Sequence, residues 1–185
     1  MEQDILMTPM GFLMVEHRFI ERMVDLMEME LERIGRGQKA DIIFIDGAID
    51  FAKTYADACH HGKEEGILFD KLAIKRLTPE HKKLMDELVL DHIQSRKIVV
   101  NLEMARERHL KREPDTVEPI LTICKSLAEF YPGHMGKEEK GFFPASMEYL
   151  SKREQKEIVK LFWEFDKDLL LAKYLKFMDQ HERVG

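Results

Sequence analysis

The 185-residue chain is poor in cysteine, proline, glycine and tryptophan, with two, six, ten and one of them respectively. Cys59 and Cys124 lie far apart and form no Cys-x-x-Cys pair, which argues against a disulfide framework and a thiolate zinc site. Both read as small core residues. So few prolines and glycines, beside abundant Leu, Met, Glu and Lys, favour helices over a sheet. No apolar run exceeds four residues, as at Ile42 to Ile45, where a membrane helix needs about twenty. A positive excess is missing too: 29 Lys and Arg face 35 Asp and Glu, a formal charge of −6. A sequence-independent grip on nucleic-acid phosphates needs the opposite balance. The opening Met-Glu-Gln-Asp lacks the basic start and apolar block of a signal peptide. These absences predict a cytoplasmic protein with neither a membrane nor a nucleic-acid partner.

Eight histidines and 22 glutamates stand out against that background. The helical periodicity that carries them predicts an all-α fold, an antiparallel up-down four-helix bundle with an extra C-terminal helix. Thr8-Pro9 is a cap-then-proline start for a first helix that Gly35 to Gly37 should stop near residue 34. A second helix is expected over about 40–72, weakened but not broken by Gly47. Thr78-Pro79 starts a third, running to about 111, and Pro114-Asp115 mark the next turn. The fourth should run over about 117–140, with a kink or restart at Pro132 just before His134. Phe142-Phe143-Pro144 should close it. Ser151 to Glu154 form a capping box for the last helix, over about 151–180. The whole chain, 1–185, reads as one domain with a core bundle over about 9–148.

On a helix, residues four apart share a face, so His-x-x-x-Glu aims an imidazole and a carboxylate at one point. With this many glutamates a single occurrence means little, and the chain has five: His17/Glu21, His60/Glu64, His61/Glu65, His109/Glu113 and His134/Glu138. Two of them lie in an internal repeat. His60-His61-Gly62-Lys63-Glu64-Glu65 matches His134-Met135-Gly136-Lys137-Glu138-Glu139 at five of six positions. Glu16-His17 and Asp91-His92 recur at nearly the same offset, so each copy offers a helix with one His and then a helix with His-x-x-x-Glu. A pseudo-two-fold bundle of that kind can enclose a pair of ions. Imidazole and carboxylate without thiolate suit iron, manganese or zinc. The Glu-x-x-His spacing of ferritin-like di-iron bundles occurs at none of the histidines.

The ordered set His17, His60-x-x-x-Glu64, His92, His134-x-x-x-Glu138, within "HHGKEEGILF" and "GHMGKEEKGFFP", resembles the hemerythrin-like (HHE cation-binding) domain over roughly residues 9 to 148. The resemblance implies a non-haem di-iron centre, oxo- or hydroxo-bridged, in the bundle core, with manganese or zinc as the alternative metals. It makes His17, His60, His92 and His134 terminal nitrogen ligands, and Glu64 and Glu138 bridging carboxylates. His61 stays open as the alternative to His60; repeat alignment and the apolar face with Ala56, Ile67 and Leu68 favour His60, whereas His61 sits one turn after Asp57. Oxygen-carrying members place an extra His one turn along the third helix, but Leu88 and Arg96 occupy those places here. Four histidines leave about two open positions on two six-coordinate ions. The arrangement thus looks closer to proteins linked to iron-centre repair and nitric oxide handling.

The expected function is a di-iron protein that binds or reacts with O2 or NO, as a carrier, a sensor or in a stress response. It is read as a binding protein rather than an enzyme, monomeric or homodimeric. The alternative is an oxidoreductase reducing NO or peroxide with the help of an electron-donor protein. Glu21, Tyr55 and Tyr131 are candidates to join the site, although aromatic packing is favoured for both tyrosines. Glu16, Asp91, Glu65 and Glu139 read as surface or orienting groups, and His81, His109 and His181 as solvated. Met10, Met14, Met23 and Met27 read as core filler. Phe162, Trp163 and Phe165 form the expected packing face of the last helix.

Overall fold

A computed structural model of the chain describes residues 8–37 and 39–182, with side chains through Leu169. Its regular structure is helical, in five long runs, with no strand among the described residues. The first, α1 (Pro9–Gly35), starts where the sequence places it. The Thr8 hydroxyl accepts the Gly11 amide at 3.1 Å, and Pro9 occupies the first turn, where its missing N–H leaves no bond unmade. α3 (Pro79–Leu110) uses the same device, with Thr78 Oγ1 accepting the His81 amide at 3.2 Å. α5 (Lys152–Glu182) follows the expected capping box: the Glu154 amide donates to Ser151 Oγ at 3.3 Å and the Ser151 amide returns to the Glu154 carboxylate at 2.9 Å.

The two runs that carry the repeat are wound differently from the plain helices expected. α2, residues 42–73, is α-helical over Ile42–Phe51 and Asp70–Ala73 but π-helical over Ala52–His61 and Glu64–Phe69. α4, residues 117–148, is α-helical over Val117–Lys137 and Phe143–Glu148 with a π turn over Glu138–Phe142 between them. Pro132 does not restart the helix, which passes through it while Ala128, Tyr131, His134 and Met135 on its buried face hold the segment in place. Phe142-Phe143-Pro144 does not close the segment either; the chain stays helical to Glu148. In the α3–α4 connection Arg112 and Asp115 adopt left-handed backbone, φ 58° and 55°, on either side of Glu113-Pro114.

Two apolar clusters fill the interior. One gathers Ile20, Val24 and Met27 with Ala52, Ala56, Val99, Leu102, Leu127 and Tyr131. The other gathers Phe12, Leu13, Leu68, Leu72, Leu88, Phe142, Phe143 and Phe162. Met27 is buried, and Met10, Met14 and Met23 are half-buried against one cluster or the other. Along α1 the order is Leu13, then His17, then Ile20, and along α3 it is Leu88, His92, Val99. Along α2 and α4 the order reverses: Ala56, His60, Leu68 and Tyr131, Glu138, Phe142. The histidines and glutamates of the repeat therefore form a polar layer between two apolar clusters.

α5 packs on α1 and α2. Phe162 is buried against Phe12 with ring centroids 5.4 Å apart, but Trp163 is 58% exposed, so the expected aromatic face is only partly buried. Phe165 lies where a Cβ on Gly62 would meet its ring at 2.9 Å, so glycine there permits the close approach of α5. No helix among the described residues is long and apolar enough to cross a membrane.

Candidate metal centre

The expected candidates His17, His60, Glu64, His92, His134 and Glu138 are all buried and meet in the polar layer, one or two from each of α1 to α4. They fall into two groups whose donor atoms lie within 4.8 Å of one another: His17, His60, Glu64 and Glu138, and His61, Glu64, His92 and His134. Glu64 belongs to both. Nε2 of His17 and His60 are 3.0 Å apart, and Glu138 reaches His17 at 3.3 Å and His134 at 3.2 Å. Glu64 lies 3.4 Å from His60 Nε2 and 3.2 Å from His92 Nε2.

His61 is the residue that sequence reasoning underrated. It stands beside His60 in the cluster, not in its place, fully buried and stacked on His92 with ring centroids 3.9 Å apart. At 3.6 residues per turn, adjacent side chains point to different faces. The π winding of Ala52–His61, with its wider i to i+5 turns, brings both imidazoles inward. The spacing His61/Glu65 was the only available signal. Met135 fills the equivalent place in the second copy, so the fifth imidazole belongs to one half alone.

Four of the imidazoles, His17, His60, His92 and His134, turn Nδ1 outward to a carboxylate partner and Nε2 inward, an arrangement that fixes ring orientation in metal sites. His17 Nδ1 meets Glu139 at 2.9 Å, His60 Nδ1 meets Glu16 at 2.9 Å, and His92 Nδ1 meets Glu65 at 2.8 Å. His134 Nδ1 lies 3.4 Å from Asp91, and His61 Nδ1 3.4 Å from Asp57. Cations hold these acids in turn: Arg18 holds Glu139, Lys63 holds Glu16, Lys137 holds Asp91, and Arg96 holds both Asp57 and Glu65. Glu16, Asp91, Glu65 and Glu139 were expected as surface or orienting groups, and the structure places them in the second of these roles.

Burial and neighbouring charges compete over the protonation of the cluster. Burial disfavours the charged form of His92, but Glu138, Glu64 and Glu65 outweigh it and raise this imidazole to about 11. The carboxylate of Glu138 also works against burial, held well below the ordinary range by His134, His17 and His92. His61 goes the other way: burial and then the charges of His92, His60 and His134 push it well below the ordinary value, so it is a neutral imidazole with a free lone pair.

Other expected residues lie elsewhere. Glu21 points outward to Arg18 at 2.9 Å, and Glu139 takes the place beside His17. Tyr131 is buried with its hydroxyl accepting from Ser95 at 3.3 Å, and Tyr55 stacks on Phe51, so both are packing residues. His81 is not solvated: it is buried between Phe142 and Tyr149. His109 is half-buried and bonded to Thr116 at 2.9 Å, and the side chain of His181 lies outside the described residues. Cys124 is buried as expected and Cys59 only partly.

The donor set fits a cation. Both oxygens of Glu64 and of Glu138, both ring nitrogens of His61 and Nε2 of His92 and His134 are buried with no hydrogen-bond partner. Groups of that kind are costly to bury unless an ion satisfies them. Over residues 8–146 the chain matches the family model of the hemerythrin HHE cation binding domain. No curated protein and no solved structure matches it.

Proposed function

The chain belongs to the hemerythrin HHE cation-binding family, and from that premise we propose that it holds two iron ions in its polar layer and binds or reacts with O2 or NO there. The observation that carries this reading is the set of unpartnered, inward-facing donors shared by two overlapping groups. The reversal of the apolar clusters between successive helices supports an antiparallel up-down bundle around the site, with α5 alongside.

His17 and His60 would hold one ion and His61, His92 and His134 the other, with Glu64 and Glu138 between them. A ferrous pair would supply the electrons for a diatomic ligand. The protein's own contribution is to orient four imidazoles through their Nδ1 partners, to hold His61 stacked on His92, and to keep bulk water out between two apolar clusters. With five nitrogens in place of four, about one coordination position is left open by the same six-coordinate count. That favours capture of one small ligand over chemistry on two. His61 thus removes the basis for preferring a four-histidine repair or nitric-oxide type of centre over a carrier or sensor.

The test is an optical titration of the anaerobically iron-loaded, reduced protein with O2, followed by evacuation. Visible charge-transfer bands that vanish on evacuation are the expected result. Bands that persist as a ferric spectrum would replace this reading with redox turnover fed by an electron donor. No iron uptake, or no bands at all, would overturn the di-iron assignment.

A further inference from the structure

We infer that Asp166 on α5 is a positioning residue for one half of the metal centre. It fixes the buried ammonium of Lys63, Lys63 fixes Glu16, and Glu16 fixes the aim of His60. The inference rests on the metal reading above and adds to it a residue outside the matched range of 8–146.

Lys63 is fully buried, and its Nζ donates to Glu16, to Asp166 and, at 3.2 Å, to Cys59 Sγ. Its ammonium also lies 5.2 Å from the centroid of the Phe12 ring. Glu16 uses its other oxygen to accept from His60 Nδ1 at 2.9 Å. Glu16, Cys59 and Asp166 are close enough together to suggest a third cation site, but Lys63 already supplies the cation there.

The second copy of the repeat contains the same arm without α5. Lys137 donates to Asp91 at 2.6 Å, Asp91 faces His134, and Lys137 is 44% exposed. In this open arm the distance from acid to imidazole is 3.4 Å, against 2.9 Å in the arm that α5 covers. A lysine head on a four-carbon stem pivots readily around one carboxylate. Two carboxylates from two helices, with a phenyl ring beside them, leave it one position, and the Glu16 oxygens follow. Without Asp166 the ammonium pivots, Glu16 follows its cation, and His60 loses its fixed acceptor. The effect stays in one half, because His61, His92 and His134 face Asp57, Glu65 and Asp91 instead.

Cobalt(II) titration of the metal-free full chain tests this, read by ligand-field absorbance and by metal counting after gel filtration. The expected wild-type result is two ions per chain. Asp166→Asn should keep one ion and weaken the other by about 10- to 100-fold, with a change confined to one set of bands, and Asp166→Glu should recover part of the loss. Val159→Ala, which loosens the buried face of α5 without touching the arm, should lower the melting temperature of the metal-free protein and leave both cobalt steps unchanged. Two unaltered steps in Asp166→Asn, equal weakening of both, or the same weakening in Val159→Ala would overturn the positioning role alone. A wild-type chain that takes up no cobalt would instead overturn the metal reading, and this role with it.

Discussion

His61 and Glu64 show how much a single side chain decides in this centre. Glu64 is the one carboxylate common to both donor groups, so Glu64→Ala should empty the protein of metal. His61→Ala should weaken only the ion shared with His92 and His134, and His109→Ala, bonded to Thr116 away from the cluster, should leave the metal content at the wild-type level. Elemental analysis of the purified variants checks all three; an emptied His109→Ala beside a filled Glu64→Ala would refute the ligand set. The cysteines give a second test. Burial, the largest influence on each, pushes both Cys59 and Cys124 up to about 12, and the thiolate is the reactive form. Iodoacetamide at pH 8, followed by mass spectrometry, should label the folded protein at least about a hundredfold more slowly than the unfolded chain. Because the folded state keeps these protons longer, their contribution to stability is intact below about pH 9 and is lost as pH rises toward 12.

At the scale of the helix, caps and winding carry the argument. Thr78 opens α3 with a hydroxyl that accepts the His81 amide, and Thr78→Ala should cost about 1 kcal/mol. For a domain of this size that corresponds to a fall of about 2–4 °C in melting temperature, measurable by calorimetry. Caps of this sort were legible because they depend on three or four adjacent residues. The π turns were not, because a π turn leaves one hydrogen bond pattern for another without a residue type that announces it. Its effect was nonetheless the largest single departure from expectation: two consecutive histidines, His60 and His61, face one centre. The restart expected as one outcome at Pro132 did not occur, for a related reason. The cost of proline inside a helix is local, whereas the burial of Tyr131, His134 and Met135 around it is tertiary and outweighs it.

For the whole molecule, the polar layer is a liability without its ion. The carboxylate oxygens of two glutamates, both ring nitrogens of His61 and Nε2 of His92 and His134 sit unpartnered between two apolar clusters, so a cation that binds only the folded state should stabilise it strongly. At a free metal concentration a thousandfold above the dissociation constant the gain is about 4 kcal/mol. Stripping the metal with a chelator should therefore lower the melting temperature by roughly 10 °C, and re-adding iron should restore it. An unchanged melting temperature after verified metal removal would show that the layer is self-sufficient.

The sequence by itself determined the helical class, the starts of α1, α3 and α5, and the repeated His and Glu positions, because each of these is written in local spacing. Hydrophobic periodicity and capping need no knowledge of what lies across the core. Only the tertiary structure decided that His61 joins His60, that Glu139 and not Glu21 stands beside His17, and that His81 is buried. It also decided that α5 reaches the centre through Asp166 and Lys63. Those outcomes depend on partners more than sixty residues away or on how the backbone winds under packing. Neither is encoded in any short stretch of the chain.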